Sequence, residues 1–153
     1  MNTLRNGRRL AIGGGLLVPA LMMVAMAVSR PAAADETVKV DMWDKPDWTQ
    51  GIDVSTDSVK AGKVTFEITN ASKTLGHEFL IVKTDMAADM FPLKDEGAKV
   101  DESKLEGIEE AGDVEKGEVI SWTVDLTPGT YMLFCNEKGH FKAGMHTMLT
   151  VTP

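Results

Sequence analysis

The stretch "YMLFCNEKGHFKAGMHTMLTV", residues 131–151, carries the only cysteine of the chain and two of its three histidines, His140 and His146. Cys135 is followed by His140 five residues on and by Met145 five beyond that, just where an alternating strand pattern resumes. A thiolate, an imidazole and a thioether are soft to borderline donors, and together they suit copper better than calcium, magnesium or manganese. Taken singly, a buried Cys is usually a small hydrophobe and a Met usually core filler. The joint spacing argues otherwise. Cys135 ends one strand, "NEKGH" turns, and "FKAGM" turns again into a final strand, so both turns fold over one end of the domain. A trigonal copper site of two His and one Cys with a weak axial Met needs one more nitrogen. His77, opening the apolar run "HEFLIV" with Gly76 before it, is the supplier. His146 is the competing candidate. By period two, however, Met145, Thr147, Leu149 and Val151 share a face, which points His146 the other way as a surface residue.

The elements that must position these side chains read as β structure. Val38, Val40 and Met42 alternate with polar residues, as do Val64, Phe66 and Ile68, and Ile120, Trp122 and Val124, each giving one buried and one wet face. "HEFLIV" (77–82) and "TYMLFC" (130–135) are apolar on both faces, as expected of central strands. Thr127-Pro128-Gly129-Thr130 has the chemistry of a tight turn. The pattern predicts an all-β, Greek-key, two-sheet antiparallel β-sandwich of seven or eight strands. Between Asp85 and Glu118 lie 12 acids and 4 lysines with little alternation. This insertion is expected to be partly helical, with a short helix at 101–110 where Leu105 and Ile108 are three apart. It is either a solvated crossover or an acidic docking surface.

Residues 1–34 read as a signal peptide ahead of a domain at 35–153. Arg5, Arg8 and Arg9 give a positive start, an apolar run extends from Leu10 to Val28, and Ala32-Ala33-Ala34 offers a cleavage position. The run is also long enough for an uncleaved anchor, and Arg8-Arg9 is compatible with a twin-arginine signal. All four arginines lie in this leader. The remaining domain holds 12 lysines against 23 acids, a formal −11, which disfavours nucleic acid as a partner. One cysteine in an exported, periplasmic domain cannot form an internal disulfide, so something must protect or occupy the thiol.

"Gly-His" at 76–77 before a strand, and "C-x4-H-x4-M" at 135–145 before a short final strand, resemble the ligand pattern of the cupredoxins, the small type 1 blue copper proteins such as azurin, plastocyanin and rusticyanin. The resemblance implies one copper ion cycling between Cu(I) and Cu(II). His77, Cys135 and His140 would form its trigonal plane, with Met145 a long axial ligand and the Gly76 carbonyl a weak contact on the opposite side. It departs from the family at Glu78, where azurins and plastocyanins commonly carry an Asn that ties the two ligand loops and touches the Cys sulfur. A binuclear electron-transfer copper site is excluded, since that needs two cysteines. The neighbours of Cys135, Phe134 and Asn136, lack the His that relays electrons in multicopper oxidases. A Cys-His protease is disfavoured because both residues sit on one short loop. The function implied is non-enzymatic: a monomeric electron carrier between redox proteins such as a c-type cytochrome, an oxidase or a reductase, with membrane contact only if the leader stays uncleaved. The alternative is a periplasmic copper-binding protein for tolerance or delivery. His140 would be the electron port, flanked by Gly139 and Phe141, with Lys138 and Lys142 supplying positive charge for docking.

Overall fold

The computed structural model describes residues 35–153; the expected signal peptide or anchor at 1–34 lies outside the described residues. Among the described residues eleven strands run in chain order: β1 (Glu36–Asp44), β2 (Gln50–Val54), β3 (Ser58–Lys60), β4 (Gly62–Asn70), β5 (His77–Lys83), β6 (Leu93–Lys94), β7 (Lys99–Val100), β8 (Ile108–Val114), β9 (Val119–Leu126), β10 (Gly129–Phe134) and β11 (His146–Thr152). One sheet has the order β2-β1-β4-β9 and the other β3-β11-β10-β5-β8, while β6 and β7 form a separate small hairpin. The expected sandwich is present. Its sheets are mixed rather than purely antiparallel, because β1 runs parallel to β4 and β11 parallel to β3.

The alternation seen in the sequence sets the inner faces. Val38, Val40 and Met42 from β1 and Val64, Phe66 and Ile68 from β4 are all fully buried. They meet Phe79 and Ile81 of β5 and Leu133 of β10 in one apolar cluster between the sheets. Phe66 carries much of this contact, its ring 5.7 Å from Phe79 on the opposite sheet and stacked 5.8 Å from Trp122 on its own. Packing two inner faces this closely is what gives a sandwich its rigidity.

β5 and β10 are apolar on both faces because both faces are covered. Leu80, Val82, Met132 and Phe134 point outward into a second cluster, closed by Phe91, Val100 and Phe141. The cover is the insertion. The helix expected at 101–110 does not form. Only a single 3₁₀ turn at Glu102–Lys104 is present, Gly107 then takes a left-handed φ of +69°, and Ile108 opens β8, paired with Val82. The i,i+3 pair Leu105 and Ile108 packs on the second cluster from extended backbone instead. A gain in burial and strand pairing outweighs a weak local helix preference. Among the described residues no helix is long and apolar enough to cross a membrane.

The chain reverses tightly before β10. Gly129 adopts a positive φ of +149°, and the Tyr131 hydroxyl donates to the Thr127 carbonyl at 2.9 Å while accepting from the Thr127 amide at 3.1 Å. This fixes where β10 starts and so, six residues later, where Cys135 falls. Because the two sheets share one interior, Phe66→Ala should lower unfolding free energy by about 3–5 kcal/mol. Chemical denaturation checks this, and a loss below about 1 kcal/mol would mean that the sheets do not depend on this contact.

Candidate metal centre

Strand direction places the candidate ligands at one end of the second sheet. β10 is antiparallel to both β5 and β11, with Phe134 paired to Leu80 on one side and to His146 on the other. The end of β10 therefore lies beside the beginnings of β5 and β11. His77 is the first residue of β5, Cys135 follows the last residue of β10, and Met145 precedes the first of β11. The intervening loop turns back on itself through Gly139 and Gly144, which take left-handed φ values of +87° and +103°. It is laced by backbone bonds: the Met145 amide donates to the His140 carbonyl at 3.1 Å, and the Cys135 amide to the Met145 carbonyl at 3.0 Å.

The result is a small triangle of donors. His77 Nδ1 and His140 Nδ1 stand 3.2 Å apart, and Cys135 Sγ lies 3.9 Å from the first and 3.4 Å from the second. A triangle with these sides has a centre about 2.0 Å from each corner, the length of a bond from imidazole nitrogen to a divalent first-row metal. Two neutral imidazoles that face each other this closely must either share one proton or aim two lone pairs at the same point. A cation satisfies both at once. The donor set thus fits a metal, and its softness fits copper. Met145 is fully buried in the same core cluster as Cys135. His146 is not part of the triangle. Its ring packs 4.9 Å from Phe141, on the other face of β11, half-buried rather than free on the surface.

Burial sets the protonation of the group. The Cys135 thiol is pushed up to about 11 by burial, opposed by the nearby backbone at Glu137 and by the Glu78 amide, which donates to the sulfur. His77, fully buried, is held down at about 4, by burial first and then by the neighbouring His140 ring. His140 is lowered for the same first reason, against the charges of Glu137 and Asp44. Glu78, half-buried, is raised to about 7 by burial; Lys99 opposes this, while Glu110, Glu102 and Glu137 add to it. Both imidazoles are neutral at physiological pH, as metal ligands must be.

A family model for copper binding proteins of the plastocyanin/azurin family matches residues 52–152. The chain belongs to that family. Among solved structures, this cupredoxin is similar to dithionite-reduced auracyanin from the photosynthetic bacterium Roseiflexus castenholzii, at 19% identity, TM-score 0.51, and coverage of 79% of this chain and 99% of the other. It is also similar to auracyanin A, a blue copper protein from Chloroflexus aurantiacus, at 18% identity, TM-score 0.52, and coverage of 78% and 100%. These likenesses are to the fold. A search of curated proteins finds no match to the chain. Copper is the cofactor of this cupredoxin, and His77, Cys135, His140 and Met145 are arranged as in a type 1 site.

Three features of the site were hidden from sequence reasoning. Glu78 stands where many cupredoxins have Asn, yet its backbone amide still donates to Cys135 Sγ at 3.4 Å, so the contact to sulfur survives the change of side chain. Asn136 is buried and reaches the insertion with its side chain. The groove beside the histidines is lined by Leu75, Gly76, Asp113, Glu115 and Glu137, not by Lys138 or Lys142. Lys142 lies across Gly97 instead, so close that a Cβ there would meet its ammonium. No sequence signal marked these, because each depends on which distant loops come together.

A proton count checks the electrostatics. At pH 8 both imidazoles are already neutral, Glu78 is largely ionised, and the Cys135 thiol still holds its proton. Loading Cu(II) into the apo-protein at that pH should therefore release about one proton per copper, measured by pH-stat. Release of two, or none, would contradict these protonation states.

Proposed function

We propose that the protein is an exported, periplasmic electron carrier, non-enzymatic and monomeric, that uses one copper ion to pass electrons between redox proteins. The observation that carries this reading is the His77–Cys135–His140 triangle, whose centre lies about 2.0 Å, a metal–nitrogen bond length, from three buried or half-buried donors. His77, Cys135 and His140 would hold the copper as its strong ligands, with Met145 and the Gly76 carbonyl as weaker donors. Bound copper supplies one-electron chemistry between Cu(I) and Cu(II).

The residues do the rest. His77 and Cys135 are anchored at the ends of central strands whose two faces are both packed, so neither can follow a change of charge by moving far. Burial of Cys135, Met145 and His77 keeps water from adding itself as a ligand. Both effects keep reorganisation small when the charge on the site changes. His77 and His140 both line the groove, but His140 alone of the three is half-buried, which makes its ring edge, flanked in sequence by Gly139 and the buried Phe141, the port for electrons.

The character of the groove revises the docking reading. Asp113, Glu115 and Glu137 surround the port, on a domain that carries −11 overall. Such a surface favours a partner with a positive docking face, such as a basic c-type cytochrome, and disfavours nucleic acid. Lys138, exposed at the rim, and Lys142, engaged with the insertion, are then bystanders to the encounter.

Two experiments test this. Cys135→Ser should abolish the intense visible absorption of the copper-loaded protein, since thiolate-to-copper charge transfer disappears, whereas His146→Ala should keep it; colour retained in the first or lost in the second contradicts the ligand set. Electron exchange with a small basic cytochrome should be fast at low salt and slow several-fold as ionic strength rises past about 0.1 M, where the Debye length falls to about 10 Å. Exchange that ignores salt would remove the acidic groove from the encounter. A deletion strain with normal respiration but copper sensitivity would replace the carrier by a copper-handling protein.

A further inference from the structure

The insertion between β5 and β8 is joined to the metal-binding loop at one buried side chain. Asn136, the residue after Cys135, is 1% exposed. Its Oδ1 accepts from the Val100 amide at 2.7 Å and its Nδ2 donates to the Val100 carbonyl at 3.3 Å, so the side-chain amide pairs with β7 as a neighbouring strand would. The same Nδ2 also donates to Glu102 Oε1. One residue's side chain thus satisfies both backbone groups of Val100, which is itself fully buried in the second apolar cluster. A second strut runs parallel to it, from the Gly139 amide to the Ala98 carbonyl at 2.7 Å.

The position of this clamp is what gives it meaning. Asn136 directly follows the ligand Cys135 and precedes Glu137, so fixing its side chain fixes the first turn of the ligand loop on the Cys135 side. The amide that donates to the Cys135 sulfur, from Glu78, belongs to β5 and is held by the sheet. Side chains and amides around ligand atoms orient those atoms and tune the metal. In this chain the Asn expected after the first histidine is absent, and the tie comes from the other ligand strand and goes to a different element.

We infer that Asn136 is a positioning residue that couples the segment 85–107 to the copper site, holding Cys135 and the start of the ligand loop in place. The inference rests on Cys135 being a copper ligand, as proposed above. The insertion is then a brace for the ligand loop as well as a cover for the second cluster. Coupling of this kind is reciprocal: if the clamp steadies bound copper, bound copper steadies the clamp.

The test uses the full chain with and without copper. Amide hydrogen exchange at Val100, which is not a metal ligand, should slow on copper loading in the wild type. In Asn136→Ala that copper-dependent slowing should be lost, copper should dissociate about tenfold or more faster, and the charge-transfer spectrum should shift. A general loss of stability would speed exchange at Val100 equally with and without copper and would leave the spectrum unmoved. The proposal is overturned if Val100 exchange ignores copper in the wild type, or if the variant keeps the wild-type copper dependence and dissociation rate. Should Asn136→Ala not fold, Glu102→Ala removes one partner of the same amide; faster copper dissociation, by about twofold or more, supports the clamp, and an unchanged rate overturns it. A wild type that takes up copper without the Cys135 charge-transfer band defeats the ligand assignment itself, whereas a normal wild type with an unaffected Asn136→Ala defeats only the coupling.

Discussion

Two imidazole nitrogens and a sulfur are made to face one another inside protein, within 3.2 to 3.9 Å, and everything else in the molecule serves that confrontation. Left to themselves these groups would separate, hydrate and protonate. Burial deprives them of water, which drives the imidazoles neutral and keeps the thiol protonated until a metal displaces its proton. A site of this kind is costly to the apo-protein and favourable only when a cation sits at its centre. The sandwich absorbs the cost. Its apolar interior, built on Phe66, Phe79 and the alternating valines of β1 and β4, is continuous with Cys135 and Met145.

Much of this was legible in the sequence, and for a physical reason. Alternating strands show their buried face directly, as at Val64, Phe66 and Ile68, and doubly apolar strands announce burial on both sides, as at 77–82 and 130–135. The donors could be read because they lie at the ends of such strands, where spacing along the chain converts to position in space. His146 could be set aside from the triangle by the same period-two argument. What could not be read were relations between distant segments. The parallel pairings of β1 with β4 and β11 with β3 leave no local mark. Leu105 and Ile108 carry a helical spacing, but Gly107 and the open edge of β5 draw Ile108 into a strand. The acids that line the groove beside His140 carried no local mark either, because they arrive from β8, its following turn and the start of the ligand loop.

The acidic insertion accordingly has more than one role to fill. Its apolar residues Phe91, Val100, Leu105 and Ile108 close the outer face of the second sheet. Its backbone at Ala98 and Val100 meets the ligand loop at Gly139 and Asn136. Its acids remain largely in solvent, where they set the charge of the domain and, through Asp113 and Glu115 at the far end of β8, the character of the groove. Cover for the sheet, contacts to the ligand loop and the charge of the groove are thereby carried by one segment on different faces.

The central claim is that the protein, not the metal, dictates the coordination geometry. X-ray absorption at the copper edge, recorded on the oxidised and the reduced protein, tests it most directly. The account predicts one sulfur and two nitrogens at short range in both states, with distances that barely change. A first shell without sulfur, or one that gains ligands on oxidation, would contradict it.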